Sequence, residues 1–227
     1  MLRNCRIGLG SAFLAVALAS CANTTGGKAI PATVPGLSTT AAVGRPQQDP
    51  PAGVPGVETT LPAHIPPDAL ECFPPPSVVG RPTTATVADP AAPKITISVP
   101  DGWTSTAGDG DVALVLAGPD GMTGKVTIAP TILTPAAAFA QYDATVRAKA
   151  GAEVTITPAP FCGYSSQQLA GTYRGPSGAI AFADRIAHIW TNTKSYLVAI
   201  HQEGPAGLLG FDAAKIALMA DFAVVIP

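Results

Sequence analysis

Clusters of basic residues are missing from this chain of 227 residues. Thirteen Lys and Arg stand against fifteen Asp and Glu, a formal charge of −2 at pH 7. A nucleic-acid-binding protein gathers Lys and Arg into a stripe that displaces counterions from phosphates, so the composition argues against that class. Charged residues make up 12% of the chain and aromatic residues 6%. No Cys-x-x-Cys or His-x-x-x-His spacing occurs, which removes the common zinc sites. No Gly-rich phosphate loop is present. Nor is any segment apolar over the ~20 residues that a membrane-spanning helix needs. The sequence implies neither metal nor cofactor.

What is present begins at the N-terminus. Arg3 and Arg6 precede a short apolar run over residues 7–17, and Leu18-Ala19-Ser20-Cys21 follows. The order of positive, apolar and small-residue regions is that of an export signal. A cysteine directly after Leu-Ala-Ser has the bacterial lipoprotein pattern. The expectation is cleavage between Ser20 and Cys21, with a diacylglyceryl group on the Cys21 thiol. The competing reading is an ordinary secretory signal with an incidental cysteine. At ~0.8 kcal/mol per buried methylene one acyl chain binds a membrane only marginally, and two hold it stably. The membrane is thus an expected partner, reached through lipid, and the location is the outer face of the plasma membrane or the cell envelope.

Residues 1–20 therefore read as signal, 21–93 as lipidated spacer and 94–227 as a globular domain. Fifteen of the twenty-four prolines fall within residues 22–93, amid Ala, Thr, Gly and Val. Such a composition buries too little apolar surface to offset backbone ordering, which predicts an extended, disordered stalk. Its Thr-Thr pairs (Thr24-Thr25, Thr39-Thr40, Thr59-Thr60) are either O-glycosylation targets or plain spacer. Cys5 leaves with the signal and Cys21 is acylated, so Cys72 and Cys162 remain for the oxidising exterior. The simplest outcome is a disulfide between them; two free thiols or an intermolecular link are the alternatives.

From Lys94 onward period-two patterns take over. Lys94–Val99, Val112–Ala117 and residues 125–129 read as strands, the last two as a hairpin across a Gly/Pro/Asp-rich turn. Thr134 and Pro135 start a helix running to about residue 150, with Phe139, Tyr142 and Val146 on one stripe. Strands follow over residues 153–157, 166–173, 179–190 and 195–201, the last three as a meander. A second helix over about residues 207–220 presents Phe211, Ile216 and Met219, and residues 222–226 form a last strand. The predicted class is α+β: a central antiparallel sheet of about six to seven strands with two main helices packed against it.

No catalytic set stands out. Gly163-Tyr-Ser-Ser-Gln167 lacks the final glycine of a nucleophile elbow and precedes a strand. Ser165, His188, His201 and Asp184 could be drawn as a triad, yet any strand-rich sandwich offers such coincidences. Asp109-Gly-Asp111 opens like a calcium loop but lacks the later ligands. Trp103 and Trp190 read as core plugs. The expectation is that this is not an enzyme.

Three stretches carry a family likeness. They are Ile95-x-Ile97-x-Val99-Pro100-Asp101-Gly102-Trp103, the run from Gly163-Tyr164-Ser165 through Gln167, Leu169 and Gly171 to Tyr173, and the apolar strands over residues 180–200 before a helix that ends near Ala220-Asp221-Phe222. In these the domain resembles the mycobacterial LpqN/LpqT family of exported lipoproteins. That resemblance implies a PsbP-like α/β/α sandwich and a binding or assembly role: a surface-exposed antigen touching a protein of the envelope or host. It departs where a short helix is expected before the first strand, for here stands Phe73-Pro-Pro-Pro-Ser-Val-Val-Gly80. Three functions follow in order: a displayed protein-binding domain, a carrier holding an envelope lipid or acyl chain in a groove, and an envelope hydrolase.

Overall fold

The structure, a computed structural model, describes residues 53–58, Cys72 and 80–227. The expected signal, Ser20, Cys21 and most of the spacer lie outside the described residues. The elements in order are β1 (Arg81–Ala85), β2 (Lys94–Val99), β3 (Thr104–Ala107), β4 (Val112–Ala117), β5 (Thr123–Thr131), α1 (Pro135–Arg147), β6 (Glu153–Pro158), β7 (Ser165–Gly175), β8 (Gly178–Trp190), β9 (Ser195–Pro205), α2 (Phe211–Leu218) and β10 (Ala223–Val225). The fold is α+β with two antiparallel sheets: seven strands in the order β3-β4-β5-β9-β8-β7-β6, and three in the order β1-β2-β10.

The expected meander is the centre of the larger sheet. β7 pairs with β8 over the whole of β7, from Gly175↔Gly178 to Ser165↔His188, and β8 with β9 from Trp190↔Ser195 to Ile180↔Pro205. Asn192 takes positive φ in the second turn, a conformation its short polar side chain tolerates. Residues 182–189 of β8 are all buried, because both faces of this strand are covered. On one face Phe182 and Ile186 meet Phe139 and Val146 of α1, with Leu169 and Ala199 beside them. On the other, Ala183, Ala187 and Ile189 join the main core with Ile95, Ile97, Phe211, Leu218 and Val224. The layers are therefore α1, the large sheet, then the small sheet together with α2.

Thr134 caps α1 by accepting from the Ala137 amide, with Pro135 in the first turn, as the sequence indicates. Trp103 is buried as a plug, and its indole fills the space where a side chain at Gly118 would stand, so close approach requires glycine there.

Three expectations need correction. The ordered domain does not start at Lys94: β1 lies inside the stretch assigned to the disordered spacer, as do residues 53–58. Pairing with β2 supplies the backbone partners that Arg-Pro-Thr-Thr-Ala could not find alone, and Pro82 is tolerated because β1 is an edge strand. Second, the strands over Lys94–Val99 and Ala223–Val225 do not extend the central sheet; they pair with each other in the small one. Third, Ile216 is exposed, not part of the buried stripe of α2.

Cys72 and Cys162 form a disulfide with 6.1 Å between their Cα atoms and 90 residues between them in sequence. Cys72 is buried in the main core, so the bond fixes the spacer's base to the turn before β7. Closing so long a loop restricts the unfolded chain by about 4–5 kcal/mol. The double substitution Cys72→Ser, Cys162→Ser should lower the unfolding free energy by about that amount, read from the guanidinium midpoint. An unchanged midpoint would show that the bond carries no such constraint.

Candidate functional site

α1 crosses only part of the large sheet, and a cleft of about 450 Å³ opens beside it. Asp184, His201 and Glu203 line it from β8 and β9, Lys125 and Thr127 from β5, and Tyr173 from β7. Tyr142 and Thr145 of α1, and Lys149 just beyond its end, close the other side. Strand register assembles the polar residues: Asp184 sits directly opposite His201, and Glu203, two residues on from His201, points to the same face.

The histidine is held from both sides. Its Nδ1 lies 2.6 Å from Asp184 Oδ1 and its Nε2 lies 3.0 Å from Glu203 Oε2. Tyr142 donates its hydroxyl to Asp184 Oδ1 at 3.0 Å, and Tyr173 donates to Glu203 Oε2 at 2.7 Å. Lys149 Nζ stands 3.6 Å from Glu203 Oε2 and 4.1 Å from the centre of the Tyr173 ring. Asp184 is 1% exposed, and its Oδ2 has no hydrogen-bond partner.

These contacts set the protonation states. Burial pushes the His201 imidazole down, but hydrogen bonds to Asp184 and Glu203, with the carboxylate charges, outweigh it and raise the pKa above 6.5. The His201 hydrogen bond, with help from Tyr173 and Lys149, holds Glu203 down to about 2 against the cost of burial. Burial, then the bond to Glu203, pushes Tyr173 up to about 12; burial and Asp184 push Tyr142 higher still. The floor thus gathers the Asp184 and Glu203 side chains, the His201 ring and the Lys149 amine, with two neutral phenols as donors.

The triad sketched from sequence does not assemble. Ser165 is the cross-strand partner of His188, while Asp184 pairs with His201, four residues and about 13 Å further along β8. The Ser165 hydroxyl accepts from the Glu58 amide at 2.8 Å. Ser166 is wholly buried, donates to the Ile186 carbonyl at 2.7 Å and accepts from Arg185 Nε. His188 contacts the Leu133 carbonyl at 3.0 Å through Nε2, and burial lowers its pKa. Asp109 closes a turn on Gly110 and Val112. Trp190 is half-buried and lines a shallow hollow with Ile132 and Lys194 instead of plugging the core. Among the described residues no group of three or more His, Cys, Asp or Glu side chains is arranged to hold a metal ion, and no helix is long and apolar enough to cross a membrane.

Sequence reasoning singled out Asp184 and His201 but missed Glu203, Lys149, Tyr142 and Tyr173. The i, i+2 spacing of His201 and Glu203 on one strand face was a usable signal. The helix and β7 residues offered none, since the angle at which α1 crosses the sheet decides their meeting.

Two histidines should therefore titrate on opposite sides of 6.5 by NMR, His188 below and His201 above, and Asp184→Asn should lower the His201 midpoint. Linkage fixes the stability profile. The His201 contribution is complete below 6.5 and is lost as pH rises through its raised pKa; that of Glu203 is complete above 4.5 and is lost as pH falls toward 2. Their plateau spans about pH 4.5 to 6.5, and His201→Gln should flatten its alkaline side. An alkaline limb unchanged in that variant would contradict the assignment.

No protein-family model matches the chain, and no curated protein matches it. Among solved structures it is similar to LpqN of Mycobacterium tuberculosis, described as involved in cell envelope biogenesis. The TM-score is 0.53 at 16% sequence identity, over 64% of this chain and 91% of that one. The domain shares the fold of LpqN.

Proposed function

We propose that this protein is an exported lipoprotein, cut after Ser20, anchored through diacylglyceryl on Cys21, and displaying a non-enzymatic domain that binds a protein partner in the α1 cleft. In this reading it is an LpqN-like protein with a PsbP-like sandwich, working at the cell envelope. The Leu-Ala-Ser-Cys pattern supports the anchor, the disulfide suits an oxidising exterior, and the likeness in fold to an envelope-biogenesis protein suits the location.

One observation carries the binding role. His201 is engaged by a carboxyl group at each ring nitrogen, so neither nitrogen is free to serve as a base. The serines nearest a histidine spend their hydroxyls on the fold. A cleft lined by lysines, threonines and tyrosines over buried ions presents a pattern of donors and acceptors, suited to a polar surface loop of a partner. An acyl carrier needs an apolar tunnel, whereas here both apolar clusters are filled by side chains and the cleft floor is ionic.

A photo-crosslinking residue at Thr145, on the cleft wall, tests the reading in intact cells. The expected product is one protein adduct of discrete mass, reduced at least tenfold by Lys149→Glu. Adducts with lipid alone would overturn the protein-binding role in favour of the carrier. In the same cells Cys21→Ser should move the protein from the membrane to the soluble fraction; retention in the membrane would remove the anchor.

A further inference from the structure

Neither the core nor the cleft uses Ile132 or Trp190. Together they line a hollow of about 660 Å³ at one end of the large sheet, with Pro130 of β5 and Lys194 in the turn before β9. Ile132 is wholly exposed and Leu133 is 36% exposed. The tip they form is built into the fold. The Leu133 amide donates to Thr131 Oγ1 at 3.1 Å, its carbonyl meets His188 Nε2 at 3.0 Å, and Thr134 follows as the cap of α1. The backbone is therefore pinned on both sides of Ile132. Beside it the turn after Trp190 is closed, since the Thr191 amide and hydroxyl both donate to the Lys194 carbonyl. Lys194 is the one charged residue lining the hollow, and Asp89 pairs with it at 2.9 Å. The other large aliphatic side chains that are exposed, Val115, Leu209 and Ile216, are dispersed over β4, the loop before α2 and α2. Scattered singly they need no explanation. A rigid aliphatic tip beside an indole does.

The same end of the sheet receives the chain from its N-terminal side. Val54-Pro55-Gly56-Val57 is a tight turn, closed by the Val57 amide on the Val54 carbonyl, with a Gly56 φ of +73°. It is seated on the start of β7: the Ser166 amide donates to the Gly56 carbonyl at 2.8 Å, and the Glu58 amide donates to Ser165 Oγ at 2.8 Å. Cys72 is fixed to Cys162 just before that strand. Register carries this position across the sheet, for Ser165 pairs with His188, His188 with Leu197, and Leu197 with Ala129. Three strand spacings, about 14 Å, separate the start of β7 from the end of β5. The seated turn, the disulfide and the apolar tip thus share one end of the domain.

We propose that this end of the large sheet docks on a lipid bilayer, with Ile132 and Leu133 entering the boundary between headgroups and acyl chains and Trp190 lying at headgroup level. The choice of a bilayer as occupant rests on the anchored reading of Cys21. A fluid layer closes around a protruding tip, whereas a protein would need a matching pocket. Trp190 brings an apolar body with a polar N–H, which suits the headgroup boundary. The Lys194 stem lies along the same surface with its ammonium toward water. So small a contact binds weakly by itself, and its effect is to orient a domain that an anchor already retains. His201 lies six residues along β9 from Ser195, about 20 Å further from this end. Docking therefore holds the cleft off the bilayer and leaves it open to a partner.

The test uses residues 21–227 carrying Cys21→Ser, which have no acyl group, and vesicles of equal phosphatidylcholine and phosphatidylglycerol at millimolar lipid. The phosphatidylcholine is brominated on its acyl chains. Trp103 is buried and gives a constant background. Trp190 emission should be quenched by the brominated lipid, and the quenched fraction should vanish in Trp190→Phe. Ile132→Asp changes a side chain that touches nothing in the fold, and it should reduce co-sedimentation with vesicles at least tenfold. Absence of quenching would overturn the proposal, as would equal co-sedimentation of Ile132→Asp. It is also overturned if Trp190 emission shifts as protein concentration rises without vesicles, which would assign the patch to a second copy. Because the tested chain has no lipid, the docking surface and the Cys21 anchor stand or fall separately.

Discussion

Two opposite charges placed back to back on one buried strand hold this domain together. Asp184 and Arg185 are neighbours near the middle of β8, each almost wholly buried, and strand alternation sends them to opposite faces of the sheet. Toward α1, Asp184 takes the hydroxyl of Tyr142 and the ring of His201. Toward α2, Arg185 donates to the carbonyls of Met219 and Ala159, to Ser166 Oγ and to the Asp221 carboxylate at 2.7 Å, and its guanidinium lies over the Phe161 ring. Burying either charge alone would cost several kcal/mol. The helices and the turn before β7 must supply those partners, so the positions of both covering layers follow from one dipeptide.

That dependence links fold to cleft. α1 is one wall of the cleft and Asp184 is part of its floor, so the bond that fastens the helix also shapes the site. The disulfide and the seated turn of residues 53–58 act at the other end of β7, where Ser165, Ser166 and Gln167 receive the spacer. The serines that looked most like chemistry in the sequence are those that hold residues 53–58 on the domain.

Much of this was legible beforehand. Lys94–Val99 alternates cleanly, Val112–Ala117 is a short apolar run, and both are strands with those bounds. Thr134-Pro135 marked the start of α1 because capping chemistry is local. The likeness stated from residues 95–103 and 163–173 agrees with the LpqN-like fold. β1 and β3 were not legible: Arg-Pro-Thr-Thr-Ala and Thr-Ser-Thr-Ala carry no apolar alternation, since each lies at a sheet edge with little to bury. The second sheet was hidden for another reason. Whether β2 pairs with β4 or with β10 depends on partners over 100 residues away, and hydrophobic period alone does not record that choice. The cleft was half legible for the same reason: cross-strand pairs such as Asp184 and His201 follow from register, but Tyr142 and Lys149 arrive by helix packing.

The back-to-back arrangement makes a claim that one measurement decides. Amide exchange should be followed separately in α1 and α2 for Asp184→Asn and for Arg185→Met. Asp184→Asn should speed exchange in α1 and leave α2 near its native protection, and Arg185→Met should do the reverse. Equal loosening of both helices by either substitution, or loosening of neither, would contradict the account.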